Sequence, residues 1–143
     1  MTYSVNVGNV TIGGTAPVSI QSMCNIPLEQ IDDLIKQAVL LEKSGCEIVR
    51  VSVPTAESAL NIPKLKKAIS IPVVADIHFD YKAAISSIEN GADKIRINPG
   101  NMVEDAIAEV VKLCKKKNIP IRVGINSGSL EKKILSKYGG VTP

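Results

Sequence analysis

The residues best equipped for chemistry in this chain are three arginines, a single histidine and a handful of acids and amides, all set in short β-branched runs. Arg50 lies in Ile48-Val49-Arg50-Val51-Ser52-Val53, Arg96 in Lys94-Ile95-Arg96-Ile97-Asn98, and Arg122 in Ile121-Arg122-Val123-Gly124-Ile125-Asn126. The histidine belongs to Val73-Val74-Ala75-Asp76-Ile77-His78-Phe79-Asp80. Successive side chains of a strand point to opposite faces, so Arg50, Asp76, His78, Arg96, Asn98, Arg122 and Asn126 share polar faces while aliphatic residues fill the others. Guanidiniums gathered on one face repel one another and lose hydration unless anions stand between them, and one aspartate cannot neutralise three arginines. The simplest missing partner is a ligand with two or more negative charges, and the planar fork of arginine favours phosphate or diphosphate. His78 can donate to the same anion, and Asp76, Asn98 and Asn126 can hold hydroxyl groups. An interior Arg–Asp–Arg network closed by carboxylates from other strands gives the same pattern, and His78 alone reads equally well as a structural histidine.

The elements that must position these groups alternate along the chain. Tyr3 to Gly14 reads as a hairpin turning at Gly8-Asn9. A strand follows over Pro17 to Met23, then a helix over Leu28 to Ser44 that stops at Gly45. Further strands are expected over Cys46 to Val53, Val73 to Asp80, Asp93 to Asn98 and Ile119 to Ile125. The helices between and after them run from about Glu57 to Ile69 around Pro63, from an Asp80 cap to Asn90, from Met102 to Lys117, and from Ser129 to Tyr138. An internal repeat supports this reading. Gly45-Cys46-Glu47-Ile48-Val49-Arg50-Val51 matches Gly91-Ala92-Asp93-Lys94-Ile95-Arg96-Ile97 at an offset of 46 residues, and Ile71-Pro72-Val73 matches Ile119-Pro120-Ile121 at an offset of 48.

A repeating unit of two strands and two helices, used four times, makes an eight-stranded barrel. A doubly wound sheet carries helices on both sides and its strands read apolar throughout. Here each strand has one aliphatic face and one that turns polar toward its C-terminal end, as a (β/α)8 barrel with a site at its mouth requires. The expected fold is therefore α/β: residues 1–15 form an N-terminal hairpin, and 16–143 form part of a TIM barrel, about five βα units.

Composition removes several classes of function. At 143 residues, 45% hydrophobic and 22% charged, the chain has an ordinary globular make-up. A net charge of +3, three tyrosines and one phenylalanine give no basic, aromatic surface for nucleic acid. Most of the basic residues are lysines in expected helix surfaces, so lysine reads as solvated charge and arginine as the functional cation. No run nears the ~20 apolar residues of a membrane span, and no basic-then-apolar leader is present, so a cytoplasmic protein is expected. Cys24, Cys46 and Cys114 are odd in number and widely spaced, which fits buried thiols rather than a disulfide framework or a metal knuckle. Gly124 and Gly128 form no nucleotide-binding fingerprint.

Four segments in order, Val-Arg-Val-Ser-Val-Pro at 49–54, Val-Ala-Asp-Ile-His-Phe-Asp at 74–80, Arg-Ile-Asn-Pro-Gly-Asn at 96–101 and Ile-Arg-Val-Gly-Ile-Asn-Ser-Gly-Ser-Leu-Glu at 121–131, resemble the 4-hydroxy-3-methylbut-2-enyl diphosphate synthases. These are iron-sulfur enzymes of the methylerythritol phosphate route to isoprenoids. The resemblance extends from about Val5 to the last residue. It implies a TIM barrel that binds 2-C-methyl-D-erythritol 2,4-cyclodiphosphate, with Arg50, Arg96, Arg122 and His78 on the diphosphate and Asp76, Asn98 and Asn126 on the erythritol portion. It also implies an oxidoreductase whose [4Fe-4S] cluster is held by a C-terminal domain not matched here, a homodimer, and ferredoxin or flavodoxin as electron donor. Cys24 stands where the family commonly has threonine, and none of the three cysteines matches the cluster motif, so no catalytic residue or metal ligand is expected in this chain. The chain then reads as an N-terminal fragment, inactive alone and with uncovered sheet edges. The competing readings are another phosphate-handling barrel, similar to the pterin-binding synthases, and a non-catalytic binding module that dimerises.

Overall fold

A computed structural model of the protein describes residues 2–130 and 132–141. Glu131, within the last expected helix, and Met1, Thr142 and Pro143, at the ends of the expected domains, lie outside the described residues.

The first element is the hairpin, in which β1 (Val5–Val7) pairs antiparallel with β2 (Val10–Ile12). Gly8 takes a left-handed φ of 55° at the turn, a conformation glycine adopts without steric cost. A five-stranded parallel sheet follows: β3 (Gln21–Met23), β4 (Ile48–Ser52), β5 (Val73–Ile77), β6 (Lys94–Ile97) and β7 (Ile121–Val123), side by side in chain order. Sequential order without reversal is that of a barrel wall, whereas a doubly wound sheet reverses at a switch point. The helices α1 (Ile31–Lys43), α2 (Ile62–Ala68), α3 (Tyr81–Glu89) and α4 (Glu104–Lys117) link successive strands, and α5 (Lys132–Tyr138) follows β7.

The aliphatic strand faces and the helices meet in one core. Val49, Val51, Val73, Ala75, Ile77, Ile95 and Ile97 pack with Leu34 and Ala38 of α1, Leu65 of α2, Ala83 and Ile88 of α3, and Val110 of α4. In and beside the outer strands apolar side chains are uncovered, with Val18, Ile20, Val123 and Ile125 exposed. The opposite, helix-free face starts apolar. Ile48 and Val74, near the N-terminal ends of β4 and β5, are buried against Val7, with Val10 and Ile12 packed beside them. Val74 shares the parity of Asp76 and His78, yet it belongs to an apolar floor. The hairpin, outside the repeat by sequence, plugs that end of the sheet.

The repeat acquires a physical cause here. Gly45 and Gly91 adopt φ of 91° and 89° just past α1 and α3, closing each helix. Two residues on, Glu47 Oε2 accepts from Ile20 N at 2.7 Å and Asp93 Oδ2 from Val73 N at 2.8 Å. The same acidic position thus ties each incoming strand to the neighbour that precedes it in the sheet. After α4 the left-handed turn is taken by Asn118, at φ 55°.

Some boundaries differ from expectation. The helix expected over 57–69 is a 3-10 turn (Ser58–Asn61) followed by α2, with Pro63 inside its first turn, where a missing N–H costs nothing. The strand expected from Pro17 pairs only from Gln21, and the one expected over 119–125 pairs over 121–123. The loops Pro99–Asn101 and Ser127–Ser129 wind into 3-10 turns. Asp80 caps α3 as expected, its Oδ1 accepting from Lys82 N at 2.9 Å.

Candidate functional site

Parallel pairing in register places side chains from neighbouring strands in one row. Ser52 lies beside Asp76, Asp76 beside Arg96, and Arg96 beside Arg122, all on the helix-free face. One layer closer to the hairpin, Met23, Arg50, Val74 and Lys94 form the next row. Along the five strands this face carries four cations, Arg50, Lys94, Arg96 and Arg122, and one carboxylate, Asp76.

Asp76 is fully buried and joins two of them. Its Oδ2 accepts from Arg50 Nη2 at 2.5 Å and Nε at 3.1 Å, and its Oδ1 accepts from Arg96 Nη1 at 3.2 Å. His78 Nε2 stands 3.6 Å from Oδ2, close enough for electrostatic attraction but too far for a hydrogen bond. The histidine sits in the bend just past β5, with 43% of its side chain exposed, and its backbone oxygen accepts from Asn101 Nδ2 at 3.2 Å. Arg50 and Arg96 are 22% and 11% exposed, so their ion pairs with Asp76 are largely shielded from water.

Arg96 is held from the other side by β7. Its Nη2 donates to Gly124 O at 3.4 Å, and a Cβ placed on Gly124 would stand 2.8 Å from Arg96 Nε. The guanidinium lies across the glycine because no side chain is there. Arg122, in register with Arg96, is exposed and makes no ion pair among the described residues. Lys94 is half-buried and likewise lacks a carboxylate among those residues; burial, then the charge of Arg122, pull its ammonium below the usual lysine range.

The two asparagines meet elsewhere on the same rim. Asn98 is 3% exposed, with Oδ1 accepting from Gly100 N at 3.1 Å and Nδ2 donating to Ser129 Oγ at 2.9 Å. Asn126 is exposed, and its backbone N donates to the same Oγ at 3.1 Å. The site residues read from sequence therefore fall into an ionic group, Arg50, Asp76, His78 and Arg96, and an amide group, Asn98 and Asn126, with Arg122 beside Arg96 and without an ion pair among the described residues. Lys94, Gly124 and Ser129 are additions. Parity alone marks Lys94; the two small residues act through close approach between neighbouring segments, which leaves no trace in strand periodicity.

The arrangement can bind an anion. All four cations come from one row and its neighbour around a single carboxylate, above an apolar floor that weakens screening of their field. Among its described residues no nucleophile is paired with a base. Among the described residues no group of three or more His, Cys, Asp or Glu side chains is placed to hold a metal ion. The three cysteines are free and buried, and burial pushes the thiols of Cys24 and Cys114 up to about 11, which keeps them protonated at neutral pH. These residues do not fit an iron-sulfur cluster, whose ligands are thiolates.

Comparison with known proteins agrees with the resemblance. The chain is 54% identical over 144 aligned residues to the 4-hydroxy-3-methylbut-2-en-1-yl diphosphate synthase (flavodoxin) of Caldanaerobacter subterraneus subsp. tengcongensis, covering 100% of this chain and 41% of that protein. It is 50% identical to the synthase of the same name from Clostridium perfringens, covering 99% of this chain and 41% of the other. The chain thus spans about two fifths of the length of the curated relatives it matches. Among solved structures, a 7,8-dihydropteroate synthase from Vibrio fischeri superposes with a TM-score of 0.63 at 13% identity, over 84% of this chain and 49% of that one. A dihydropteroate synthase from Xanthomonas albilineans gives 0.65 at 11% identity, over 95% and 56%. At such identities the likeness concerns the fold, and it bears out a TIM-barrel wall. Residues 2–143 match the family described as the GcpE TIM-barrel domain, and the chain belongs to that family.

Proposed function

We propose that this chain is the diphosphate-binding wall of the barrel in a 4-hydroxy-3-methylbut-2-en-1-yl diphosphate synthase, the enzyme its curated relatives are named for. The observation that carries this reading is the charge imbalance of the helix-free face: four inward cations, one carboxylate, and two cations with no acidic partner among the described residues. A cyclic diphosphate supplies the missing negative charge. Arg96 and Arg50, already oriented by Asp76, present their remaining N–H groups to it; Arg122 and His78 close on it from the exposed rim, and Lys94 adds charge from below. The amides of Asn98 and Asn126, beside the cations, face the hydroxyl-bearing carbons. In this reading the chain binds and orients substrate, while reduction at a [4Fe-4S] cluster, fed by flavodoxin or ferredoxin, belongs to the larger share of the relatives' length that this chain does not match. The complete enzyme is then a cytoplasmic homodimer, and the chain alone is inactive.

The test is Arg96→Ala in the full-length protein, with binding of the cyclodiphosphate followed by titration calorimetry. Loss of charge-assisted hydrogen bonds worth about 1.5–3 kcal/mol weakens binding by roughly 10- to 150-fold. Unchanged affinity in a folded variant refutes the cradle. A purely structural Arg–Asp–Arg network accounts for Arg50 and Arg96, but among the described residues it leaves Arg122 and Lys94 without carboxylate partners.

A further inference from the structure

Ser129 lies at the centre of a polar knot for which the anion cradle has no use. Its Oγ receives Asn98 Nδ2 at 2.9 Å and Asn126 N at 3.1 Å, and its own proton has two acceptors in reach, Asn126 O at 3.0 Å and Asn98 Oδ1 at 3.3 Å. A hydroxyl accepts two hydrogen bonds and donates one, so Ser129 is saturated within the protein and has nothing left for a ligand. Its partners are not saturated: Asn98 Nδ2 has a second N–H, and the Asn126 side chain is exposed. The two loops also touch through backbone. A Cβ placed on Gly100 would stand 1.9 Å from Ser129 O, so the turn after β6 can seat against the turn after β7 only with glycine at that position.

We infer that Ser129 is a positioning residue for substrate recognition, fixing the Asn98 amide and the Asn126 backbone across the β6 and β7 loops so that both amides address the hydroxyl-bearing carbons of the ligand. Asn98 continues the face of Arg96 two residues further along, so the knot stands next to the cations. An asparagine amide can present either its oxygen or its nitrogen to a ligand. Gly100 N donating to Oδ1 and Ser129 Oγ accepting from Nδ2 select one orientation, and they leave a donor free beside the diphosphate site. Without the Ser129 hydroxyl, only the Gly100 N–H still holds the amide, and its orientation is less tightly fixed.

This inference rests on the proposed diphosphate reading, and a pair of probes separates the two. Inorganic pyrophosphate has the charges of the ligand and none of its hydroxyls; 2-C-methyl-D-erythritol 2,4-cyclodiphosphate has both. In the full-length protein, Ser129→Ala is expected to weaken cyclodiphosphate binding about tenfold, the loss of one or two neutral hydrogen bonds, while pyrophosphate affinity stays within about twofold. Ser129→Thr keeps the hydroxyl and is expected to restore the cyclodiphosphate affinity. If the alanine variant does not fold, Ser129→Cys, which keeps the shape but hydrogen-bonds weakly, is expected to show the same selective loss. Unchanged cyclodiphosphate affinity in the variants, or parallel weakening of both ligands, overturns the positioning role and leaves the cradle standing. Failure of the wild-type protein to bind pyrophosphate or cyclodiphosphate overturns the cradle and the inference with it.

Discussion

Gly124→Ala separates binding from folding at this site. The added methyl would stand 2.8 Å from Arg96 Nε, 3.0 Å from Nη2 and 3.3 Å from Cζ, where ordinary contact begins at 3.4 Å. The atoms in the way are the end of a long side chain rather than backbone, so the guanidinium moves and the strand does not. Arg96 Nη1 is already 3.2 Å from Asp76 Oδ1 and Nη2 is 3.4 Å from Gly124 O, so a shift of half an ångström or so carries both past hydrogen-bonding range. Loosening that charged contact costs about 1–2 kcal/mol. Gly124 is not among the positive-φ glycines, so alanine also restricts the unfolded chain, which returns about 0.4–1 kcal/mol. The net change in stability is expected to stay within roughly 1 kcal/mol, a few degrees in melting temperature. Binding suffers more, because Arg96 no longer meets the anion in its set orientation; pyrophosphate affinity should fall by roughly 10- to 100-fold. Calorimetric titration with pyrophosphate, beside thermal melts of the same full-length protein, reads both numbers. A variant that melts normally and binds within twofold of wild type would show that the position of Arg96 does not matter to the ligand.

Asp76→Asn should destabilise the unliganded protein by about 2–4 kcal/mol in denaturant melts, somewhat under the cost of breaking a fully buried ion pair because Arg50 and Arg96 keep some exposure; a loss below about 0.5 kcal/mol would mean that the arginines need no countercharge. Lys94→Met tests the buried cation through pH. Burial, and then Arg122, lower the pKa of this lysine from its ordinary 10.5, so just below 10.5 the unfolded chain holds the proton more firmly than the folded one. Lys94 therefore contributes a penalty at neutral pH that fades as pH rises through its folded pKa. The stability difference between Lys94→Met and wild type, from urea melts, should favour the variant at pH 7 and shrink as pH approaches 10.5; a difference that is flat with pH, or grows, sinks the assignment.

Strand parity made the ionic row legible because alternation separates the two faces within each strand and parallel pairing then sets like faces side by side. Asp76, Arg96 and Arg122 have even numbers on three separate runs, and pairing sets them side by side. The hairpin was equally visible, since Gly8-Asn9 between alternating segments has few other readings. Its position was not, because Val7, Ile48 and Val74 meet only once the sheet exists. Pro63 announced a break without saying on which side the helix would survive. Gly100 and Gly124 could not be recognised as site residues from letters, because what they provide is the absence of a Cβ where Ser129 and Arg96 pass. Lys94 shares the parity of the arginines, but a chain whose other lysines cluster in helix surfaces points away from it. The two structural acids of the repeat, Glu47 and Asp93, stood in matching positions in the sequence, and only the strand amides they accept from explain why.

On the proposed reading, the single carboxylate along the five strands of the cationic face sets how much of the binding charge is prepared before a ligand arrives. Asp76 engages Arg50 and Arg96 through separate oxygens, so each guanidinium is oriented in the free protein and gives up only part of its donor set. A second inward carboxylate, opposite Arg122 or Lys94, would satisfy the face completely and leave an anion to compete with a protein group for every contact. No carboxylate at all would leave four cations whose repulsion opposes folding until the ligand binds. One acid for four bases lies between these limits: two arginines are fixed by the fold, while Arg122 and Lys94 have no carboxylate partner among the described residues and stay open to an anion at the rim. The apolar floor made by Val7, Ile48 and Val74 keeps that exchange at one end, because the hairpin covers the other. Binding of a diphosphate should therefore raise the melting temperature more than binding of a neutral polyol of similar size, since only the diphosphate supplies the charge that the fold leaves open.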